Sequence, residues 1–140
     1  MKKSITVIIL YFLMINGQIA YSQVIENYEG TPMTINVLIG GPDDLSTLSV
    51  INNPFKTGIN TSNRVGYLLR DKDGIPGTGF WSTKTVDLTT NKYIHVKVFK
   101  TRINAVKFKV ENGLGGILEV SSTNPQTKIN QWEDLVFDFS

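Results

Sequence analysis

The chain has 140 residues, no cysteine, and 14 basic against 12 acidic side chains, a formal charge of +2. That excludes a disulfide framework and thiolate metal sites. It also leaves no electrostatic footprint for nucleic acid or an anionic membrane.

Residues 1–22 have the layout of a signal peptide. Lys2 and Lys3 form a basic start, residues 5–14 an apolar stretch, and Ala20-Tyr21-Ser22 puts small residues where a signal peptidase reads, favouring cleavage before Gln23. The apolar stretch is about ten residues, against the roughly 20 a helix needs to cross a bilayer. Lys2 and Lys3 leave with it, so residues 23–140 carry 12 basic and 12 acidic groups and the net charge falls to zero. The absence of cysteine rules out a lipid-anchored lipoprotein. The expectation is a secreted, periplasmic or cell-surface protein with no membrane insertion after cleavage. Its single domain, residues 23–140, is large enough to build its own core.

From there on apolar residues recur with period two, and no segment sustains a helical period. The alternating positions are Met33, Ile35, Val37 and Ile39, then a short run at 47–51, then Val65, Tyr67 and Leu69. A second short run at 79–86 precedes Ile94, Val96 and Val98. Val106, Phe108 and Val110 follow, then Leu118 and Val120, and finally Leu135, Phe137 and Phe139. Turn chemistry separates them: GGPDD at 40–44, DKDGIPGTG at 71–79, NGLGG at 112–116 and STNPQ at 122–126. About eight short strands, each with one buried face, predict an all-β antiparallel β-sandwich or jelly roll.

A long polar loop, NNPFKTGINTSN at 52–63, stands before the third strand. Pro54 holds Asn53 extended, Gly58 tolerates positive φ, and the Asn, Thr and Ser side chains are suited to bonding nearby backbone. One reading is a self-satisfied Ω-type connector. The other is a sugar contact through Lys56, Asn60 or Ser62. Phe80 and Trp81 are neighbours on a strand, so they point to opposite faces and one is expected in the core. Tyr93, His95, Lys97 and Phe99 share the outward face of their strand and form a candidate platform. Trp132 opens the last strand. Arg70, Lys97, Lys100, Arg102, Lys107 and Lys109 gather in the middle of the chain, either as a solvated face or, if they converge on one groove, as a site for an anionic polysaccharide.

Catalytic signatures are scarce. There is one histidine, His95, and no HExxH, G-x-S-x-G or phosphate-cradling loop. Glu111, Glu119, Glu133 and Asp138 read as outward or edge positions rather than as a converging acid pair. DKDG at 71–74 lacks the downstream acceptors of an EF-hand and reads as a turn. A non-enzyme is expected.

NNPFKTGINTSNRVGYLLR, then GTGFW, then NKYIHVKVFKTRINAVKFKVE, then WEDLVFDFS resembles a family of exported Bacteroidetes domains. Its members carry NP-x-K-[ST]-G-[IV]-N-[ST]-S before a strand, then aromatic and Lys-rich strands, and a closing W-E-x-[LF]-x-F-D-[FY]-S. The resemblance covers about 27–140 and implies a galactose-binding-like jelly roll. It also implies a carbohydrate-binding module with a polysaccharide or glycan as partner. The ligand contacts expected on this basis are Trp81, Tyr93, Arg70, Lys100, Arg102 and Asn60. It further implies a structural Ca²⁺ with Glu29, in IENYEG, at an early acidic ligand position; the late carboxylates of the family are missing. The family continues past FDFS with further strands, so a domain without its closing strands is expected. The alternative function is a structural or protein-interaction module of the cell envelope, or a remnant of a longer polysaccharide-degrading protein.

Overall fold

The computed structural model describes residues 26–32, 34–38, 42–71 and 79–140. The expected signal peptide, Met33, Ile39 and most of the turn at 71–79 lie outside them. The described residues contain strands and no helix. The strands are β1 (Asn36–Leu38), β2 (Thr47–Asn52), β3 (Arg64–Leu69), β4 (Gly79–Trp81), β5 (Tyr93–Phe99), β6 (Lys107–Glu111), β7 (Ile117–Ser121) and β8 (Trp132–Asp138). They pair antiparallel as β1–β4, β2–β3, β5–β8 and β6–β7. The all-β antiparallel expectation therefore holds, with four two-stranded ladders in place of broad sheets.

The core belongs to β5 and β8. Ile94, Leu135, Phe137 and Phe139 are buried, with Leu135 and Phe137 sealed completely. Val96 and Val98 join them from β5, and Val106, Phe108, Val110 and Val120 pack in from β6, β7 and their flank. The Phe108 ring centre lies 5.5 Å from that of Phe137 and 6.1 Å from that of Phe139. Full burial of each such side chain contributes about 1.5–3 kcal/mol, so these rings bind the two ladders together. The free edge of β8 is covered by the chain leaving β7. Thr123 N donates to Val136 O at 2.8 Å, Asn124 Nδ2 donates to Asp134 O at 3.0 Å, and Val136 N donates to Asn124 Oδ1 at 3.1 Å. The β6–β7 turn is closed by Asn112, whose Oδ1 accepts from Leu114 N and Gly116 N, both at 2.9 Å. Gly113 and Gly115 supply the positive φ this turn requires.

Three strand assignments are corrected in detail. Val65 is buried, but Tyr67 and Leu69, on the same side of β3, are exposed. The partly buried residues of that part are Gly66 and Leu68, opposite Val50 and Leu48. The Tyr28 ring covers this second face, so a Cβ placed on Gly66 would come within 2.6 Å of Tyr28 Cζ. Neither member of the Phe80–Trp81 pair is in the core: they are 50% and 52% exposed. The β1–β4 ladder is only three rungs long and has no apolar layer deep enough to bury either ring. Glu133, expected to face outward, is buried in phase with Leu135, Phe137 and Phe139. Its carboxylate accepts from Thr127 N, Thr127 Oγ1 and Lys128 N at 2.7–3.1 Å, which compensates for its removal from water.

Candidate binding face on the fifth and eighth strands

Because Ile94, Val96 and Val98 go to the core, Tyr93, His95, Lys97 and Phe99 point outward. The same alternation turns Trp132, Asp134, Val136 and Asp138 outward on β8. The register sets Tyr93 opposite Asp138, His95 opposite Val136, Lys97 opposite Asp134 and Phe99 opposite Trp132. Tyr93 is 57% exposed. His95 Nδ1 lies 2.8 Å from Asp134 Oδ2, a diagonal pair across the ladder. The second oxygen of Asp134 is enclosed and has no hydrogen-bond partner among the described residues. This face therefore carries one open aromatic ring beside two carboxylates, an imidazole and an ammonium.

The far end of the face is covered by the loop at 52–63. Phe55 stacks on Phe99 with ring centres 4.3 Å apart and planes 2° from parallel, and Phe99 meets the Trp132 ring edge-on at 5.6 Å. Trp132 Nε1 donates to Phe55 O at 2.7 Å. The loop satisfies its own polar groups. Asn53 is buried, with Nδ2 donating to Ser62 O at 3.1 Å and Oδ1 accepting from Phe55 N at 2.9 Å. Asn53 N donates to Asn63 O at 2.7 Å and Asn60 N to Thr57 O at 3.2 Å, with Gly58 at φ 58° between them. Lys56 Nζ donates to Asn63 Oδ1 at 2.6 Å. A sequence rich in Asn, Ser and Thr thus folds back on itself as a self-bonded connector.

The residues singled out from sequence are dispersed. Asn60 is buried and its Oδ1 accepts from Ser62 N at 3.1 Å and Ser62 Oγ at 2.7 Å, so the loop uses the group expected to meet a ligand. Tyr93 opens β5 and Lys100 follows its last residue, about 23 Å apart at the rise of an extended chain. Lys100 Nζ donates to Asn104 O at 3.1 Å. Its pKa is held below the usual lysine value, chiefly by burial and then by the neighbouring Arg102. Arg102 is exposed, and its carbonyl accepts from Gln126 Nε2 at 3.1 Å. Arg70 is half-buried just after β3, in the closure where Asp71 N donates to Ser46 Oγ at 2.9 Å. Trp81 lies on the β1–β4 ladder. The chain that follows it, residues 82–85, lines with Thr34 an open depression of about 480 Å³. Lys107 pairs with Glu119 at 2.8 Å and Lys109 with Glu111 at 2.6 Å, so these cations are balanced within their own ladder. The basic residues of the middle strands do not converge on one groove.

Glu29 is also occupied. It accepts from Asn63 N, from Arg64 N at 3.3 Å and from Asn63 Nδ2 at 3.5 Å. The Asn63 backbone bond, first among several, holds its carboxyl below the usual range. Calcium takes about six to eight oxygens. Among the described residues no group of three or more His, Cys, Asp or Glu side chains could hold a metal ion.

The sequence reading puts Asp138 outward without linking it to the β5 residues, and it does not single out Asp134 or Phe55. Period two places both aspartates outward, but nothing local reveals that β8 lies beside β5. The signal for Phe55 was present: a single aromatic inside a polar loop needs an apolar surface to cover it. Compared with protein-family models, curated proteins and solved structures, the chain matches none.

Proposed function

We propose that this protein is an exported, non-catalytic β-module that binds a neutral polysaccharide on the outward face of β5 and β8. The reading takes these strands and the β6–β7 ladder as the facing layers of a small β-sandwich, akin to the galactose-binding-like domains that the sequence resembles. One observation carries it. Tyr93 is exposed on the same outward face as Asp138, His95, Asp134 and Lys97. A pyranose has an apolar C–H face that lies against an aromatic ring, and its hydroxyls require directed polar partners around it. The carboxylates of Asp134 and Asp138 stand on this face with Lys97 and the His95 ring, a mixed polar set that suits hydroxyls rather than a polyanion. The basic start and short apolar stretch of residues 1–22 support export.

Affinity electrophoresis of residues 23–140 through gels of neutral polysaccharides (xylan, mixed-linkage glucan, mannan, galactan) and acidic ones (pectin, alginate) tests this. Retardation by at least one neutral gel is expected, with Tyr93→Ala abolishing it while the circular dichroism stays unchanged. A folded protein that no neutral gel retards, or one that Tyr93→Ala leaves equally retarded, refutes the reading.

A further inference from the structure

The face is open at one end only. Its outward rungs run from Tyr93 and Asp138 through His95 and Val136 to Lys97 and Asp134. At the next outward rung, Phe99 with Trp132, the surface is covered by Phe55. Phe55 is fixed there through its whole peptide. Its N donates to Asn53 Oδ1 at 2.9 Å, and its O accepts from Thr57 N at 2.8 Å and Trp132 Nε1 at 2.7 Å. A ring so held is a wall, since moving it breaks these bonds together with the stack.

We propose that the loop is an end-stop, so that the face takes a short stretch of a neutral glycan and blocks extension beyond Lys97. The proposal rests on the glycan-binding reading. The open length from Tyr93 to Lys97 is about 13 Å at strand rise, room for roughly two to three pyranose rings. Specificity then lies in the length bound as well as in the sugar, and it is set by a loop that contributes no hydroxyl contact of its own.

Titration calorimetry with cello-, xylo-, manno- and laminari-oligosaccharides of two to six rings decides it. In the wild-type protein the association constant is expected to rise up to three rings and then stay level within about twofold. Phe55→Ala, which uncovers the Phe99 ring, is expected to restore a gain of about fivefold between three and six rings, near 1 kcal/mol. A wild-type constant that keeps climbing to six rings, or a folded Phe55→Ala protein with the wild-type plateau, overturns the end-stop and leaves glycan binding standing. If Phe55→Ala does not fold, amide shifts of the wild type decide. Changes at 93–97 that are the same with three and six rings support the stop, and new changes at 53–57 with six rings refute it. Absence of heat with every series refutes the underlying reading instead.

Discussion

Replacing Trp132 with phenylalanine removes one hydrogen bond and leaves a ring against Phe99. The Trp132 Nε1 bond to Phe55 O is 2.7 Å long, and that oxygen keeps a second donor, Thr57 N, at 2.8 Å. No acceptor is orphaned, so the cost is that of one neutral bond, about 1 kcal/mol. Phe55→Ala costs more. About half of its ring is exposed, so burial contributes roughly half of the 1.5–3 kcal/mol of a sealed phenylalanine. The parallel stack on Phe99 adds about 0.5–1.5 kcal/mol, which brings the total to about 2 kcal/mol. The two residues touch, so the double variant should be less destabilised than the sum of the singles, by about 1 kcal/mol. Hydrogen exchange reads this at the loop: the amides of Asn53, Thr57 and Asn60, each bonded within the loop, should exchange about fivefold faster in Trp132→Phe. Unchanged exchange at all three amides, or strictly additive effects, would show that the aromatic contact does not hold the loop down.

Other substitutions probe the rest of the molecule. Gly66→Ala pushes a Cβ to 2.6 Å from Tyr28 Cζ and should cost about 1–3 kcal/mol by urea unfolding; the further change Tyr28→Ala should remove most of that clash, so a double variant no better than the single refutes the contact. Phe137→Ala hollows the sealed centre of the core and should cost about 3–5 kcal/mol, a large share of the about 5–15 kcal/mol that keeps a domain folded; a loss below about 1 kcal/mol would contradict the burial. Glu133 has its carboxyl lowered, first by the Thr127 hydroxyl and also by the Thr127 and Lys128 amides. Its contribution to stability is therefore complete above the unfolded-state glutamate pKa and is lost as pH falls through the depressed folded value. Urea midpoints measured across the acid range should fall with pH in the wild type and less steeply in Glu133→Gln; parallel curves refute the assignment.

The sequence predicts strand locations in the second half of the chain well, because period two there coincides with a real core, although Leu118, in phase with Val120, is exposed. Ile94, Val96 and Val98, Phe108 and Val110, and Leu135 to Phe139 all face where alternation puts them. It fails where burial depends on a partner distant in sequence. Tyr67 and Leu69 alternate as regularly as Val65, yet their side of β3 stays exposed away from the folded loop. Glu133 is polar at an apolar phase of β8, and only the Thr127–Lys128 turn, brought within reach of its carboxylate, explains how it is buried. The candidate face was half legible. The β5 residues follow from alternation, whereas Asp134 and Asp138 depend on the β5–β8 register, and the Phe55 wall depends on where a long loop comes down.

The pairing of β5 with β8 also governs how this chain reaches its native state. Tyr93 must wait for Asp138, and Phe99 for Trp132, while the whole β6–β7 hairpin is made between them. A nascent chain that has left the ribosome as far as residue 131 holds β5 without its partner and lacks Leu135, Phe137 and Phe139, so its apolar strand residues have nothing to close upon. Contacts of such sequence separation form slowly, after the entropy of a long loop has been overcome. β8 therefore completes both the central ladder and the core, and a chain released only as far as residue 131 can close neither.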